Sequence, residues 1–146
     1  MSDNGVVTEV RRATSDDSLE HLIEGAYARA TTARGGRALL AQLWESAADL
    51  DALRRVIAAE VEHGHVWIAR AEDDVIAGAL VRDACVQVIW VVPALRRHRV
   101  ATMILTTLLA SDVAPVDAWA LPGDRATKSL YESVGWKARL LTMRGA

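Results

Sequence analysis

Three arginines, Arg96, Arg97 and Arg99, stand where an apolar run at residues 88–92 gives way to apolar residues at helical spacing over 100–108. This change of pattern predicts a strand, a loop and a helix. The first N–H groups of a helix have no partner within it, and the helix dipole places partial positive charge at the same end. With the arginine side chains they form an anion site, and a phosphate or pyrophosphate fits it best.

The loop residues also resemble a known motif. The segment Pro93-x-x-Arg96-Arg97-x-x-Val100-Ala101, between a predicted apolar strand and a predicted helix, is similar to the acyl-CoA-binding motif of the GNAT superfamily of N-acetyltransferases. The usual form of that motif is Arg or Gln, two residues, Gly, one residue, and then Gly or Ala. The resemblance identifies the chain as a GNAT-type protein with a divergent CoA-binding loop.

A second segment resembles the closing motif of the same family. It carries Leu130-Tyr131-Glu132 on a predicted helix and ends in Gly135-Trp136. The two motifs occur in the family's order, with a predicted strand between them. The resemblance implies that Tyr131 lies near the thioester sulfur and protonates the leaving thiolate as a general acid. The alternative, from the residue type alone, is an amphipathic core tyrosine whose hydroxyl reaches solvent.

The resemblance implies acetyl-CoA as co-substrate and no metal. Backbone N–H groups around residues 97–102 would hold the pyrophosphate, and the backbone of the preceding strand would pair with the pantetheine arm. The implied cofactor-binding residues are Val91, Val92, Arg96, Arg97, His98, Arg99, Val100, Ala101, Thr102 and Lys128.

Two positions depart from the family pattern. Arg99 stands where the first glycine of the motif allows close approach of the backbone to phosphate. Its side chain either crowds the loop or adds a charge-assisted bond to the same phosphates. Gln87 and Val88 stand where many family members carry a glutamate base, and neither can accept the amine proton. Asp83 and Glu132 lie nearby in sequence but not at that position, so no base is assigned and a water relay stays open.

The remaining pattern predicts a mixed α/β chain. Strands are predicted at 6–13, 65–71, 75–81, 85–92, 116–121 and 138–143. Helices are predicted after the 14–17 segment, from a Ser46 cap to His63-Gly64, at 100–111, and from an Asp124 cap to Gly135. The short 37–45 run favours a helix, with a strand as the alternative. Short hairpin connections, among them Asp83-Ala84, make the sheet mostly antiparallel, and the 100–111 crossover makes its two flanking strands parallel. The 85–92 strand is nearly all apolar, which predicts a central strand buried on both faces. In the GNAT fold this parallel pair splays apart to admit acyl-CoA.

Length and composition indicate the domain size, the class of partner and the cellular compartment to expect. A chain of 146 residues with 51% hydrophobic residues is of single-domain size, so we expect one domain over 1–146. The net charge of −2 argues against nucleic acid as a partner. One cysteine, no membrane-length apolar stretch and no signal-peptide pattern in residues 1–5 lead us to expect a cytoplasmic protein.

Two other groups of residues carry weaker signals. His63 and His65 could suggest a metal, but two histidines without a third spaced ligand are read as a helix-end feature. Cys85 is read as a buried apolar residue, because no histidine lies near it in sequence to activate a nucleophile.

The function expected from this resemblance is transfer of an acetyl or other acyl group from acetyl-CoA to a primary amine of a small molecule or protein. The alternative is a GNAT-fold module that has lost its chemistry and serves as an acyl-CoA sensor or a protein-interaction subunit. A toxin-like enzyme acting on aminoacyl-tRNA is a third reading, which the acidic net charge disfavours. Many relatives form dimers, so a homodimer is an open expectation.

Overall fold

A computed structural model of the chain describes residues 7–32, 49–95, 99–120 and 124–138. Within these ranges the chain forms five strands and four helices. In chain order they are β1 (Glu9–Arg12), α1 (Glu20–Thr32), α2 (Leu50–Glu62), β2 (Val66–Ala71), β3 (Asp74–Arg82), β4 (Cys85–Val91), α3 (Val100–Leu109), β5 (Asp117–Ala118) and α4 (Arg125–Ser133). A single 3₁₀ turn, Pro93–Leu95, follows β4. None of the helices in these ranges has both the length and the apolar character needed to cross a lipid bilayer.

The strands form one mixed sheet in the order β1-β2-β3-β4-β5. The first four strands are antiparallel neighbours, and β5 runs parallel to β4. The predicted mixed sheet with one parallel pair is therefore confirmed. The β3–β4 connection consists of Asp83 and Ala84, which both have positive φ, as in the two-residue turn that matches the twist of a hairpin. The parallel pair is joined through α3, because parallel strands require a crossover connection.

Helices cover both faces of the sheet. On one face α3 buries Val100, Ile104, Leu105 and Leu108 against the sheet, and Tyr131 of α4 joins the same cluster. On the other face α1 and α2 pack their apolar residues against Val66, Ile68, Leu80 and Trp90. The strand β4 has six buried residues out of seven, which agrees with the prediction of a central strand made from its apolar run.

The strand β4 contains a bulge at Gln87. Leu80 pairs with Val88 and Val81 pairs with Val86, so β4 places one extra residue, Gln87, opposite β3. A bulge of this kind bends the strand and increases its local twist. The Gln87 side chain is buried at this point.

The parallel pair is short. Cys85 and Val86 pair with Asp117 and Ala118, and the N–H of Trp119 donates to the carbonyl oxygen of Val86 at 2.9 Å. Beyond this bond β4 continues to Val91, whereas β5 has ended. We call the point where the two strands part, at Val86 and Trp119, the fork. The strand predicted at 116–121 is thus wrong in length.

Several predicted boundaries need correction. Helix α2 begins at Leu50 and not after Ser46, because the carboxylate of Asp49 caps it by accepting the Ala52 N–H at 2.7 Å. Helix α3 ends at Leu109 and not at 111. The predicted 37–45 helix and all but the first residue of the predicted 138–143 strand lie outside the described residues.

Asp17 secures the connection between β1 and α1. Its carboxylate accepts two hydrogen bonds from the Arg11 guanidinium, each at 2.8 Å, and one from the Thr14 N–H at 2.7 Å. The Arg11 hydrogen bonds hold the pKa of Asp17 well below its ordinary value, at about 2. The 14–17 segment, which was predicted to cap the first helix, is thus held to β1 by the ion pair between Asp17 and Arg11.

We expect Asp17→Asn to lower the free energy of unfolding by about 1–2 kcal/mol at neutral pH, because the charge-assisted bonds to Arg11 are lost. The pKa of Asp17 is lower in the folded chain than in the unfolded one. The stabilising contribution of its carboxylate is therefore complete above about pH 4 and disappears as the pH falls through about 2. Urea unfolding at several pH values measures it. Asp16→Asn, at the exposed neighbouring position, is the control and should stay close to wild type. Equal losses in the two variants, or a deficit that persists at pH 2, would contradict the assignment.

Candidate active site

The first turn of α3 presents unpaired backbone N–H groups. The first bond of the helix runs from the Met103 N–H to the Arg99 carbonyl oxygen at 3.0 Å. The N–H groups of Val100, Ala101 and Thr102 precede it, and no described residue accepts a hydrogen bond from them. Together with the helix dipole they make this end of α3 suitable for a phosphate or pyrophosphate.

Arg99 has the backbone conformation that favours glycine. It is the N-cap of α3 with φ 61° and ψ 17°, and its side chain makes no capping bond. A side chain in this left-handed region costs roughly 1–2 kcal/mol. The residue is exposed, and no described residue pairs with its guanidinium. The loop therefore keeps a glycine-type turn at the motif's glycine position while carrying an unpaired positive charge.

The other predicted loop residues divide into three groups. Arg96, Arg97 and His98 lie outside the described residues. Val91 is the buried last residue of β4. Val92 was expected to offer its backbone to pantetheine, but its N–H donates to Ile76 and its carbonyl accepts from Leu95, both at 2.9 Å. The N–H of Val92 is thus committed to β3, because β4 pairs with β3 up to this residue.

Tyr131 reaches the fork from α4. Its side chain is 7% exposed, and its hydroxyl donates to the carbonyl oxygen of Trp119 at 3.4 Å. Its ring stacks on Trp136 with centroids 5.7 Å apart. Burial raises the pKa of Tyr131, and nearby Cys85 and Asp124 add to the effect. The hydroxyl is therefore protonated at neutral pH, the state required of a proton donor.

Helix α4 is anchored at its start by Asp124. The carboxylate accepts from the Thr127 N–H at 3.1 Å and from the Thr127 hydroxyl at 2.7 Å. Arg29 of α1 lies 3.5 Å from the same carboxylate. The predicted Asp124 cap is confirmed, and it holds Tyr131 two turns further along. Lys128 is exposed on the same helix.

No carboxylate occupies the family's base position. Gln87 is buried in the bulge, and Val88 lines a cavity on the opposite face of the sheet from α3. Asp83 is exposed in the β3–β4 turn, and Glu132 is exposed on α4. Cys85 is buried, and burial raises its pKa to about 11. It is therefore a thiol at neutral pH, consistent with its interpretation as a buried apolar residue.

A small apolar cavity lies between the sheet and helices α1 and α2. Its volume is about 50 Å³, and Val88 and Trp90 form its floor on β4. The Trp90 indole packs on Gly25 of α1 so closely that a Cβ at Gly25 would collide with the ring. Sequence reasoning missed this contact, although a glycine inside a helix, where it weakens the helix, was a signal of close packing.

A larger cavity of about 570 Å³ opens where α1 begins and β3 starts. Its polar lining includes four aspartates, Asp16, Asp17, Asp73 and Asp74, together with Ser18, His21 and Arg70. Val92, at the end of β4, is also part of its wall. Because carboxylates outnumber cations in the lining, this cavity favours a positively charged group over an anion.

Comparisons with solved structures identify the fold. An N-acetyltransferase from Staphylococcus aureus Mu50 matches with a TM-score of 0.66 at 15% identity over 90% of this chain and 92% of that one. A GNAT-family acetyltransferase from Bacillus cereus matches with a TM-score of 0.57 at 13% identity over 87% and 80%. An aminoglycoside N-acetyltransferase in complex with CoA matches with a TM-score of 0.57 at 16% identity over 94% and 93%. No family model and no curated protein matches the sequence.

We expect Arg99→Gly to raise the free energy of unfolding by about 0.5–1 kcal/mol, because glycine adopts the left-handed conformation without the Cβ penalty. Chemical denaturation measures the change. Arg55→Gly, an exposed position inside α2, is the matched control and should lose about 1 kcal/mol. A loss of similar size in both variants would show that residue 99 is not left-handed in solution.

Proposed function

We propose that this chain, which has the GNAT fold, is an acyl-CoA-dependent N-acyltransferase that transfers an acetyl group from acetyl-CoA directly to a primary amine of a small molecule or a protein. The observation that carries the proposal is the placement of two groups along one parallel strand pair. The buried Tyr131 hydroxyl stands at the fork, and beyond the far end of β4 the start of α3 carries N–H groups and the Arg99 cation that pair with no described residue. Two of the similar structures contain CoA or a CoA-based bisubstrate analogue, which supports acetyl-CoA as the co-substrate.

In this proposal the pyrophosphate binds at the start of α3. The N–H groups of Val100, Ala101 and Thr102 donate to its oxygens, and Arg99 adds a charge-assisted bond. The other expected contributors are Arg96, Arg97, His98 and Lys128. From there the pantetheine arm follows β4 past Val91 toward the fork, which brings the thioester toward Tyr131.

The chemical step follows from the protonated state of Tyr131. A neutral amine attacks the thioester carbonyl carbon, the C–S bond breaks, and the sulfur leaves with the bonding electrons. The Tyr131 hydroxyl gives its proton to that sulfur and is reprotonated from solvent, while the attacking nitrogen loses a proton to water.

The alternative function is an acyl-CoA sensor or interaction subunit without chemistry. The observation that favours it is that Gln87 and Val88, and no carboxylate, occupy the family's base position. Gln87 is buried in the bulge. The two functions differ in turnover and share the CoA site. Binding of acetyl-CoA without thiol release on a panel of primary amines would favour the sensor.

We place the reaction in the cytoplasm and in a single domain, with acyl-CoA and an amine as partners. The single cysteine supports a reducing compartment. A homodimer is compatible with the proposal, and nucleic acid is not required for it.

Tyr131→Phe should lower kcat for acetyl transfer by about 100-fold, because the leaving thiolate loses its proton donor. The KM for acetyl-CoA should stay within about twofold, since the hydroxyl acts on the departing sulfur and not on the bound nucleotide. Thiol release with a panel of primary amines measures both constants. Tyr27→Phe removes the hydroxyl of the other tyrosine, on α1, and is the control. Unchanged kcat in the Tyr131 variant would remove this residue from the mechanism.

Arg99→Gly should weaken acetyl-CoA binding by about tenfold, because a charge-assisted bond to phosphate is worth about 1.5 kcal/mol or more. Arg99→Lys keeps the charge and should bind within about threefold of wild type. Calorimetry measures the dissociation constants, with Arg55→Gly as a control for loss of one positive charge. Arg99→Gly is expected to be more stable than wild type yet to bind acetyl-CoA less tightly, so its loss of affinity cannot be attributed to unfolding. Equal or tighter binding would mean that the backbone alone holds the pyrophosphate.

A further inference from the structure

Three metal-ligating side chains meet where α2 ends and β2 begins. One carboxylate oxygen of Glu60 and one ring nitrogen from each of His63 and His65 all lie within 4.8 Å of one another. Glu60 is buried, with 8% exposure, and its Oε2 lies 2.7 Å from Nδ1 of His65. The two imidazole rings are 5.8 Å apart between centroids. Glu60, one helical turn before His63, is therefore the third candidate ligand. The spacing of the two histidines did not reveal it.

The backbone fixes this arrangement. Gly64 is left-handed with φ 76°, the His65 N–H donates to the Glu60 carbonyl at 2.9 Å, and the Gly64 N–H donates to the Val61 carbonyl at 3.0 Å. These two bonds define the Schellman ending of a helix, which brings the residue after the glycine over the third residue from the helix end. An apolar contact usually fills that place. Here a glutamate and a histidine face each other instead, and His63 lies between them in sequence.

The charges around the three side chains favour a cation, which we expect to bind with moderate affinity. Carbonyl groups at the end of α2 place partial negative charge beside it. Arg82 lies 3.3 Å from Oε1 of Glu60 and so fixes the carboxylate while Oε2 faces His65. The guanidinium also repels a second cation, so we expect micromolar and not nanomolar affinity. Zn²⁺ binds histidine and carboxylate at about 2.0–2.2 Å, so closing the group around an ion needs movements of about 0.5–1 Å.

We propose that Glu60, His63 and His65 bind one divalent transition-metal ion of the Zn²⁺ class, with water in the fourth position. In this site the ion takes the place of the direct hydrogen bond between Glu60 and His65. The site joins the end of α2 to the sheet. His65 directly precedes β2, and its carbonyl accepts the Val81 N–H of β3 at 2.8 Å. It lies at the end of β3 that carries Arg82, whereas the loop before α3 follows the pairing of Val92 with Ile76 at the other end. The metal site is therefore separate from the loop that we propose to hold the pyrophosphate.

The test is calorimetric titration of the tag-free full chain with ZnCl₂ in a buffer that does not bind metal. We expect one ion per chain, and a loss of affinity of at least about tenfold in His63→Ala and in His65→Ala. His63 is exposed, so its alanine variant should fold, as checked by circular dichroism and by melting without metal. Glu62→Gln, at an exposed position next to His63, is the matched control and should bind like wild type.

A second readout identifies the ligands. X-ray absorption of the zinc-loaded chain should show a nitrogen and oxygen shell near about 2.0–2.1 Å with scattering from two imidazoles. Zinc should also raise the Tm of wild type and of Glu62→Gln but not that of His63→Ala. Unchanged affinity in a folded His63→Ala variant, an equal loss in Glu62→Gln, or no binding at 100-fold above the expected micromolar range would overturn the proposal.

Discussion

Unequal pairing along the two edges of β4 is the constraint on which the rest of the structure depends. On one edge β4 pairs with β3 from Cys85 to Val91, and on the other only two of its residues pair with β5 within the described part of the chain. The bulge at Gln87 bends the strand close to the place where β5 leaves it. A strand edge of this kind accommodates an extended, amide-containing chain, because such a chain can add to a sheet through its own backbone groups. The pantetheine arm of acyl-CoA has that chemistry.

The end of the same strand determines how α3 begins. After Val92 has bonded back to β3, a 3₁₀ turn and the left-handed Arg99 redirect the chain into the helix. Because Arg99 makes no capping bond with its side chain, the first N–H groups of the helix have no acceptor among the described residues, which is what an anion site requires. The strained residue and the three open N–H groups that follow it thus belong to the same turn. Arg99 brings a charge to this place, where glycine would bring only freedom of the backbone.

Much of the fold could be predicted from the sequence because its signals are local. The apolar run of β4, the Asp83-Ala84 turn and the Asp124 cap each depend on neighbouring residues, and all three predictions are confirmed. The Asp49 cap was missed because Ser46 offers the same chemistry a few residues earlier. The β5 strand was predicted too long because its apolar pattern continues past the point where pairing with β4 stops. That point is set by tertiary geometry, which the pattern does not contain.

The candidate site could be predicted less completely, for the same reason. The resemblance to the family's closing motif implied that Tyr131 is a proton donor, but its burial and its bond to Trp119 depend on how α4 packs. The commitment of the Val92 N–H to Ile76 depends on strand register. Glu60 was not linked to the histidines, because the helix ending that brings it to His65 is recognised from backbone bonds and not from ligand spacing.

The contact between Gly25 and Trp90 restricts how related chains can diverge. The indole occupies the space that any side chain at position 25 would need, and it also forms part of the floor of the apolar cavity under α1 and α2. Because a buried interior does not tolerate added volume without loss elsewhere, the two positions must vary together. A larger residue on the helix requires a smaller one on the strand, and that exchange would reshape the cavity. In homologous chains, covariation of these two positions would therefore record changes in the size of the group that this face of the sheet admits.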